Sequence, residues 1–346
     1  MNQGVWERGE CHVNQTLHRF KTGTVILVGI LLLLAGFTAS LSIGAYSISF
    51  SEVFGLLFSP DGSKASSIIE TIRLPRAVTG VVIGMCLASA GGLMQAITNN
   101  PLASPQVFGV NAGASLMVVI GVVLFPGLGA GTLVYAAFLG AAAGGAAVYY
   151  MASTGGGMTP VKLALSGITI HLLLSSMIEG VVLFHETSTE DVLFWLAGGI
   201  DGRAWPDVQL LLPWAAVGLF GAVMIGKPLT TLGLGDDVAQ GLGQKIGWIR
   251  GGAAILVVIL AGISVAVAGP IGFIGLIIPN IIRKLLGPDY RILLPVSALY
   301  GAVLLTSADV LSRFISYPGE APVGIVTALI GAPFFLYLAG RGGRNA

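Results

Sequence analysis

Residues 73–116 read RLPRAVTGVVIGMCLASAGGLMQAITNNPLASPQVFGVNAGASL. Two apolar runs lie here, 78–97 and the start of 107–125, each close to the roughly 20 residues that a helix needs to cross about 30 Å of hydrocarbon. Between them Asn99, Asn100 and Pro101 read as a helix stop followed by an extended turn, because proline restricts the residue before it. Further runs of spanning length occur at 24–43, 133–151, 161–184, 208–225 and 249–268. The remainder divides at Gly269-Pro270, at Gly287-Pro288 and near Pro318 into 271–286, 292–315 and 323–338. The expectation is an all-α polytopic membrane protein of about ten transmembrane helices. It divides into a tail at 1–22, a transmembrane domain at 23–341 and a second tail at 342–346.

Composition agrees with that class. Only 10% of the 346 residues are charged and 55% are hydrophobic, with a mean hydropathy of +0.89; a soluble chain carries roughly a quarter charged residues. The 51 glycines suit membrane helices, which approach closely through small residues. The run at 24–43 is too long for the apolar core of a cleaved signal and is kept as a helix, with the tail before it read as a disordered cytoplasmic extension. A net charge of +1 gives no sign of a nucleic-acid partner. Cys11 lies in the polar tail and Cys86 inside an apolar run, so neither a disulfide nor a metal site is read from them.

Ten spans put both termini on one side, and lysine and arginine select the side. With the termini in the cytoplasm, twelve of the seventeen lie inside and Lys64, Arg73, Arg76, Arg203 and Arg313 lie outside. The polar interruption TLGLGDDVAQGLGQKIGWIR, 231–250, is then cytoplasmic. Val238, Leu242, Ile246 and Ile249 fall on one helical face. Asp236 and Asp237 would sit in the first turn, at the positive end of the dipole. Gly241 and Gly243 should break the element into two short helices. It is too polar to span and is expected to receive force from a partner. The chain has no G-x-x-x-x-G-K-[ST] phosphate loop, since Gly155–Gly157 lacks the Gly-Lys pair, so the energy source is expected in another subunit.

R-L-P-R at 73–76, G-x-x-L-A-x-x-G-x-x-x-Q at 84–95, N-P-L-A-x-P at 100–105 and G-V-x-A-G-A at 109–114 together resemble the FecCD family of ABC-importer permeases for iron siderophores, haem and cobalamin. The resemblance continues through WLAGGIDGRAW at 195–205, LGDDVAQGLG at 234–243, GPIGFIGLIIPNIIR at 269–283 and the run 321–338. Asn280 departs from it, standing where the family commonly has histidine. The resemblance implies a transport subunit that is not itself an enzyme. It would pair with a second, identical or homologous permease in the membrane lipid, with two cytoplasmic ATPases and with an extracytoplasmic substrate-binding protein. ATP and Mg would be used by the ATPases, and no cofactor would be bound by this chain.

The resemblance also implies roles for particular residues. Arg73, Arg76 and Arg313 would dock acidic residues of the binding protein, a role suited to the arginine fork; from position alone, Arg73 and Arg76 read equally as interface anchors. Leu234, Gly235, Asp236, Asp237, Val238, Ala239, Gln240, Gly241, Leu242 and Gly243, within a coupling region 230–250, would face the ATPase. Asn100, Leu102 and Thr159 would contribute to a cytoplasmic gate. From spacing, Asp309 holds Arg313 as an i, i+4 pair, and His171, Ser175 and Glu179 form one row in a span. Ionisable groups at that depth usually face a cavity or a partner, which makes His171 and Glu179 pathway-lining candidates.

The expected function is ATP-driven import of a ferric siderophore by alternating access in the bacterial cell membrane. Cobalamin or haem is the alternative cargo. An ion-coupled secondary transporter is the rival from another class, since broken helices and abundant glycine suit it too.

Overall fold

The computed structural model describes residues 3–44, 46, 48–59, 61–125, 127–154, 159–184, 189–315 and 320–342. Every regular element among them is helical. In chain order these are α1 (Gln3–Ser42), α2 (Phe50–Phe58), α3 (Lys64–Ile68), α4 (Leu74–Thr98), α5 (Val110–Leu124), α6 (Ala130–Ser153) and α7 (Pro160–Leu183). Then follow α8 (Thr189–Ala197), α9 (Trp205–Leu232), α10 (Asp236–Gly241), α11 (Ile246–Ala268), α12 (Ile274–Leu286), α13 (Tyr290–Ile315) and α14 (Val323–Gly342). A π-helical turn, Ile69–Arg73, joins α3 to α4, and a 3-10 turn, Pro105–Phe108, precedes α5.

Each of the ten expected spans has a helix: α1, α4, α5, α6, α7, α9, α11, α12, α13 and α14. Seven are long and apolar enough to cross by themselves. Helices α5 and α14 are shorter apolar helices, and the 13 residues of α12 rise only about 20 Å. After Gly269, whose N closes the last turn of α11 onto Val265 O at 2.7 Å, Pro270-Ile271-Gly272 enters α12 as irregular backbone. Backbone groups beside this break are satisfied locally: Gly199 N donates to Ala268 O at 2.8 Å and Gly324 N to Gly198 O at 2.9 Å. Irregular backbone survives at such depth only under that condition.

Three elements differ from expectation. Helix α1 begins at Gln3, so the backbone of the tail read as disordered continues the first span; nothing in that sequence stops a helix. Residues 107 and 108 belong to the 3-10 turn, and α5 starts only at Val110, after Gly109 at φ 70°. The short helices α2, α3 and α8 lie between spans at the outer end, where hydropathy gave no span signal. Pro318, the C-terminal residues 343–346 and Gly155–Gly157 lie outside the described residues.

Helix α4 is the axis of the bundle, packed against α9, α11, α12 and α13. In the most apolar stretch of each span, 78% is buried for the helix containing α4, against 17% for α1 and 22% for α7. Glycine permits that central position. A Cβ added at Gly91 would stand 1.9 Å from Gly275 O on α12, and one at Gly84 would stand 2.4 Å from Gly301 O on α13. Without side chains at these crossings, backbone meets backbone. The exposed leucines of α1 (Leu27, Leu31 and Leu34) face outward, as a lipid-facing wall requires.

Candidate functional site

A cavity of about 540 Å³ opens along α7. His171, Ser175 and Glu179 line one wall, as their four-residue spacing directs, and Gln106, Asn111 and Ser115 also line it. Pro270, in the break before α12, completes it near one end. Both expected lining residues therefore share one polar-edged space at membrane depth. Gln106, Asn111 and Ser115 were missed by sequence reasoning; their position between an N-P-L-A-x-P turn and a glycine-rich run was the available signal. Asn111 Oδ1 is buried and has no hydrogen-bond partner among the described residues.

At the C-terminal end of α4 a clamp joins the 100–103 turn to α12. Asn99 caps α4 in the left-handed region at φ 47°, and Asn100 Oδ1 accepts from Leu102 N at 2.9 Å. Asn280 Nδ2 donates to Pro101 O at 2.7 Å and to Leu276 O at 2.8 Å. Arg283 donates to Asn280 Oδ1 at 3.3 Å, to Gln95 Oε1 at 3.0 Å and to the Tyr290 hydroxyl at 3.3 Å. Asn280 thus fastens the gate-side turn through its amide, a role that needs no titration. Gln95 and Arg283 were not singled out from sequence, because they meet each other across 188 positions. Thr159 acts locally, its Oγ1 capping α7 by accepting from Lys162 N at 3.3 Å.

The coupling region has one helix of its own, not two. Helix α10 starts at Asp236, as the paired aspartates predict, and ends at Gly241. Gly243, at φ 79°, supplies the turn, and the expected second piece is simply the first turns of α11. The expected apolar face is divided. Ala239 is buried, whereas Leu234, Val238 and Leu242 are exposed, Leu234 and Leu242 to 67%. Arg250 Nη2 bonds Asp236 Oδ1 at 3.0 Å and braces the helix from α11. Leu234–Gly243 therefore presents three apolar side chains on a polar projection braced by Arg250. The expected break is present: α10 ends at Gly241 and the left-handed turn falls on Gly243, while a side chain added at Gly241 would meet nothing within 4 Å.

At the outer end the three expected docking arginines lie inside the protein. Arg73 donates to Leu41 O at 2.6 Å, to Ser42 O at 2.9 Å and to Tyr46 O. Arg313 donates to Ser40 O at 2.8 Å, Ile43 O at 2.6 Å and Ser40 Oγ at 2.9 Å. Asp309, 1% exposed, joins Arg313 at 2.5 Å and Arg76 at 2.8 Å, and Arg76 also pairs with Glu320. The predicted i, i+4 pair exists and carries a second arginine besides. What the expectation of direct docking lacked was burial: each guanidinium is already engaged by acceptors of this chain. Tyr317 and Pro318, the other half of the docking pattern at Arg313, lie outside the described residues.

Known proteins with the same organisation settle the family. The Fe(3+)-citrate import system permease protein YfmD of Bacillus subtilis is 53% identical over 321 residues, covering 93% of this chain and 95% of that one. The ferric enterobactin transport system permease protein FepD of Escherichia coli is 37% identical, covering 94% and 97%. Among solved structures, a metal-chelate type ABC transporter in an inward-facing conformation superposes with a TM-score of 0.82 at 28% identity, covering 92% of this chain and 99% of that chain. The PsaBC complex of Streptococcus pneumoniae, at 18% identity and a TM-score of 0.51, shares the fold alone. With the FecCD transport family profile matching residues 31–341, across the axial helix, the clamp and the coupling projection alike, this chain belongs to the FecCD transport family of membrane transport permeases.

Proposed function

We propose that this chain is one permease of a two-permease importer in the cell membrane of a bacterium, and that it carries a ferric chelate of the siderophore or ferric-citrate class inward. The observation that carries this reading is the nearly full-length likeness to permeases whose names specify Fe(3+)-citrate, siderophore and Fe(3+)-hydroxamate import. The chelate passes along the cavity beside His171, Ser175 and Glu179, with the second permease forming the opposite wall.

Power comes from two cytoplasmic ATPases seated on Leu234, Val238 and Leu242. Apolar side chains held out on a polar projection favour burial in a partner, at about 25 cal/mol per Å² of apolar surface covered. Through the α10–α11 brace, closure of the ATPases tilts α11 and its neighbours. The turn at Asn100–Leu102 opens or closes with the motion of α12. A substrate-binding protein docks at the outer end, where Arg73, Arg76 and Arg313 hold the loops in register. ATP and Mg reside on the ATPases, and the permease binds no cofactor of its own.

The test is uptake of radioactive iron into cells that have this chain as the sole ferric-chelate permease, supplied in turn with ferric citrate, a ferric hydroxamate and a ferric catecholate. Uptake of one of these should require the chain and collapse when the partner ATPase is deleted. Uptake that survives ATPase deletion and collapses with a protonophore would instead identify an ion-coupled carrier.

A further inference from the structure

Four arginines of the outer end are described, and one is treated differently from the rest. Arg73, Arg76 and Arg313 each reach carbonyl or carboxylate oxygens of the chain. Arg203 is half-buried; its Nε, like that of Arg313, is shut off from solvent without a hydrogen-bond partner among the described residues. Arg313 offsets this with Nη bonds to Ser40 and Ile43, whereas Arg203 makes no such bond among the described residues. The guanidinium lines a cavity of about 180 Å³ walled mainly by valines of α5 together with Val134, Val192 and Trp195. One water occupies about 30 Å³ of liquid, so a small organic anion fits. Among the described residues these walls offer no carboxylate.

A guanidinium Nε shut off from solvent without an acceptor is costly. Its loop is nonetheless pinned on both sides. Gly199 N bonds Ala268 O at 2.8 Å, Ala204 N donates to Asp207 Oδ2 at 2.9 Å, and Trp205 Nε1 donates to Glu70 O at 2.9 Å. Arg203 is therefore directed to the cavity by a fixed frame. We propose that Arg203 and this cavity form a binding site for an oxyanion with a short apolar body, supplied either by a soluble carboxylate or by the headgroup region of an anionic lipid. The arginine fork meets two oxygens at once, and the valine and tryptophan walls exclude water and strengthen the pairing. The site is separate from the α7 cavity: Trp195 lines the one and Leu196 the other. It rests on no assumption about the cargo.

The test uses the full chain, purified in nanodiscs of phosphatidylcholine, and follows its thermal unfolding and the part of its fluorescence that disappears in Trp195→Phe. Citrate is titrated in one arm; in the other, phosphatidylglycerol replaces part of the lipid. The expected result is a saturable rise in Tm with a Trp195-dependent fluorescence change in one arm, and that arm names the source. Arg203→Gln should abolish both signals, and Arg203→Lys should weaken them several-fold. If Arg203→Gln does not yield monodisperse protein, Arg203→Lys alone decides, since an unweakened response there overturns the site. No response in either arm, or a response unchanged in Arg203→Gln, also overturns it.

Discussion

The outer end and the cytoplasmic coupling projection invert the usual placement of residue types. At the outer end charged groups are buried: Asp309 lies between Arg76 and Arg313 beneath the surface. At α10 apolar groups are exposed, with Leu234, Val238 and Leu242 in the open. The buried charges are satisfied by acceptors of the chain itself, so their work is internal. The exposed apolar side chains have no such cover among the described residues, which suits the ATPase contact proposed for them. Position in the fold, more than residue type, separates a structural element from an interaction surface here.

The largest expected effect probes the buried side. Asp309→Ala leaves buried Arg313 with no carboxylate and Arg76 with Glu320 alone and should cost about 3–5 kcal/mol, read as a fall in Tm and in the yield of monodisperse protein after detergent extraction. An unchanged Tm would erase the contrast between the two ends. Next is the inner clamp, where Asn280→Ala deprives Pro101 O of its donor; a loss of about 1–3 kcal/mol is expected, with faster proteolysis at the 99–103 turn.

Leu242→Asp and Gly241→Leu sharpen the exposed side. Open space around both positions predicts an unchanged Tm, while ATP-driven uptake falls about tenfold, equivalent to ~1.4 kcal/mol of coupling. A drop in Tm with normal uptake would make α10 a packing element. The smallest effect is at Asp289, in the loop before α13. The hydrogen bond from Arg291, reinforced by Thr230 and opposed by partial burial, holds its carboxyl below the ordinary value. Because the folded pKa is depressed, the stabilisation is complete above the unfolded pKa of about 4 and disappears as pH falls through that range. Asp289→Asn should remove under about 1 kcal/mol at neutral pH and flatten the acid limb of the Tm-pH curve.

Much was legible from the chain alone. Apolar runs marked the ten helices because hydrocarbon forces each crossing segment to satisfy its own backbone. The aspartate pair marked the start of α10, and four-residue spacing placed His171, Ser175 and Glu179 on one wall. The misreadings share a cause. The amphipathic pattern at 238–249 ran across a turn into a spanning helix, and periodicity does not report where one helix ends and another begins. The arginines were read as surface groups because sequence reports charge but not burial.

By itself the sequence determined the all-α class, the ten apolar helical segments and the family, all of which follow from local composition, spacing and motif order. Only the tertiary structure decided which charges are internal. Arg76 meets Asp309 across 233 positions and Arg313 meets Ser40 across 273, and it is this folding together of distant segments that satisfies three outer arginines and leaves Arg203 facing an apolar cavity. Desolvation and hydrogen-bond satisfaction are properties of the assembled environment, so no window of sequence contains them.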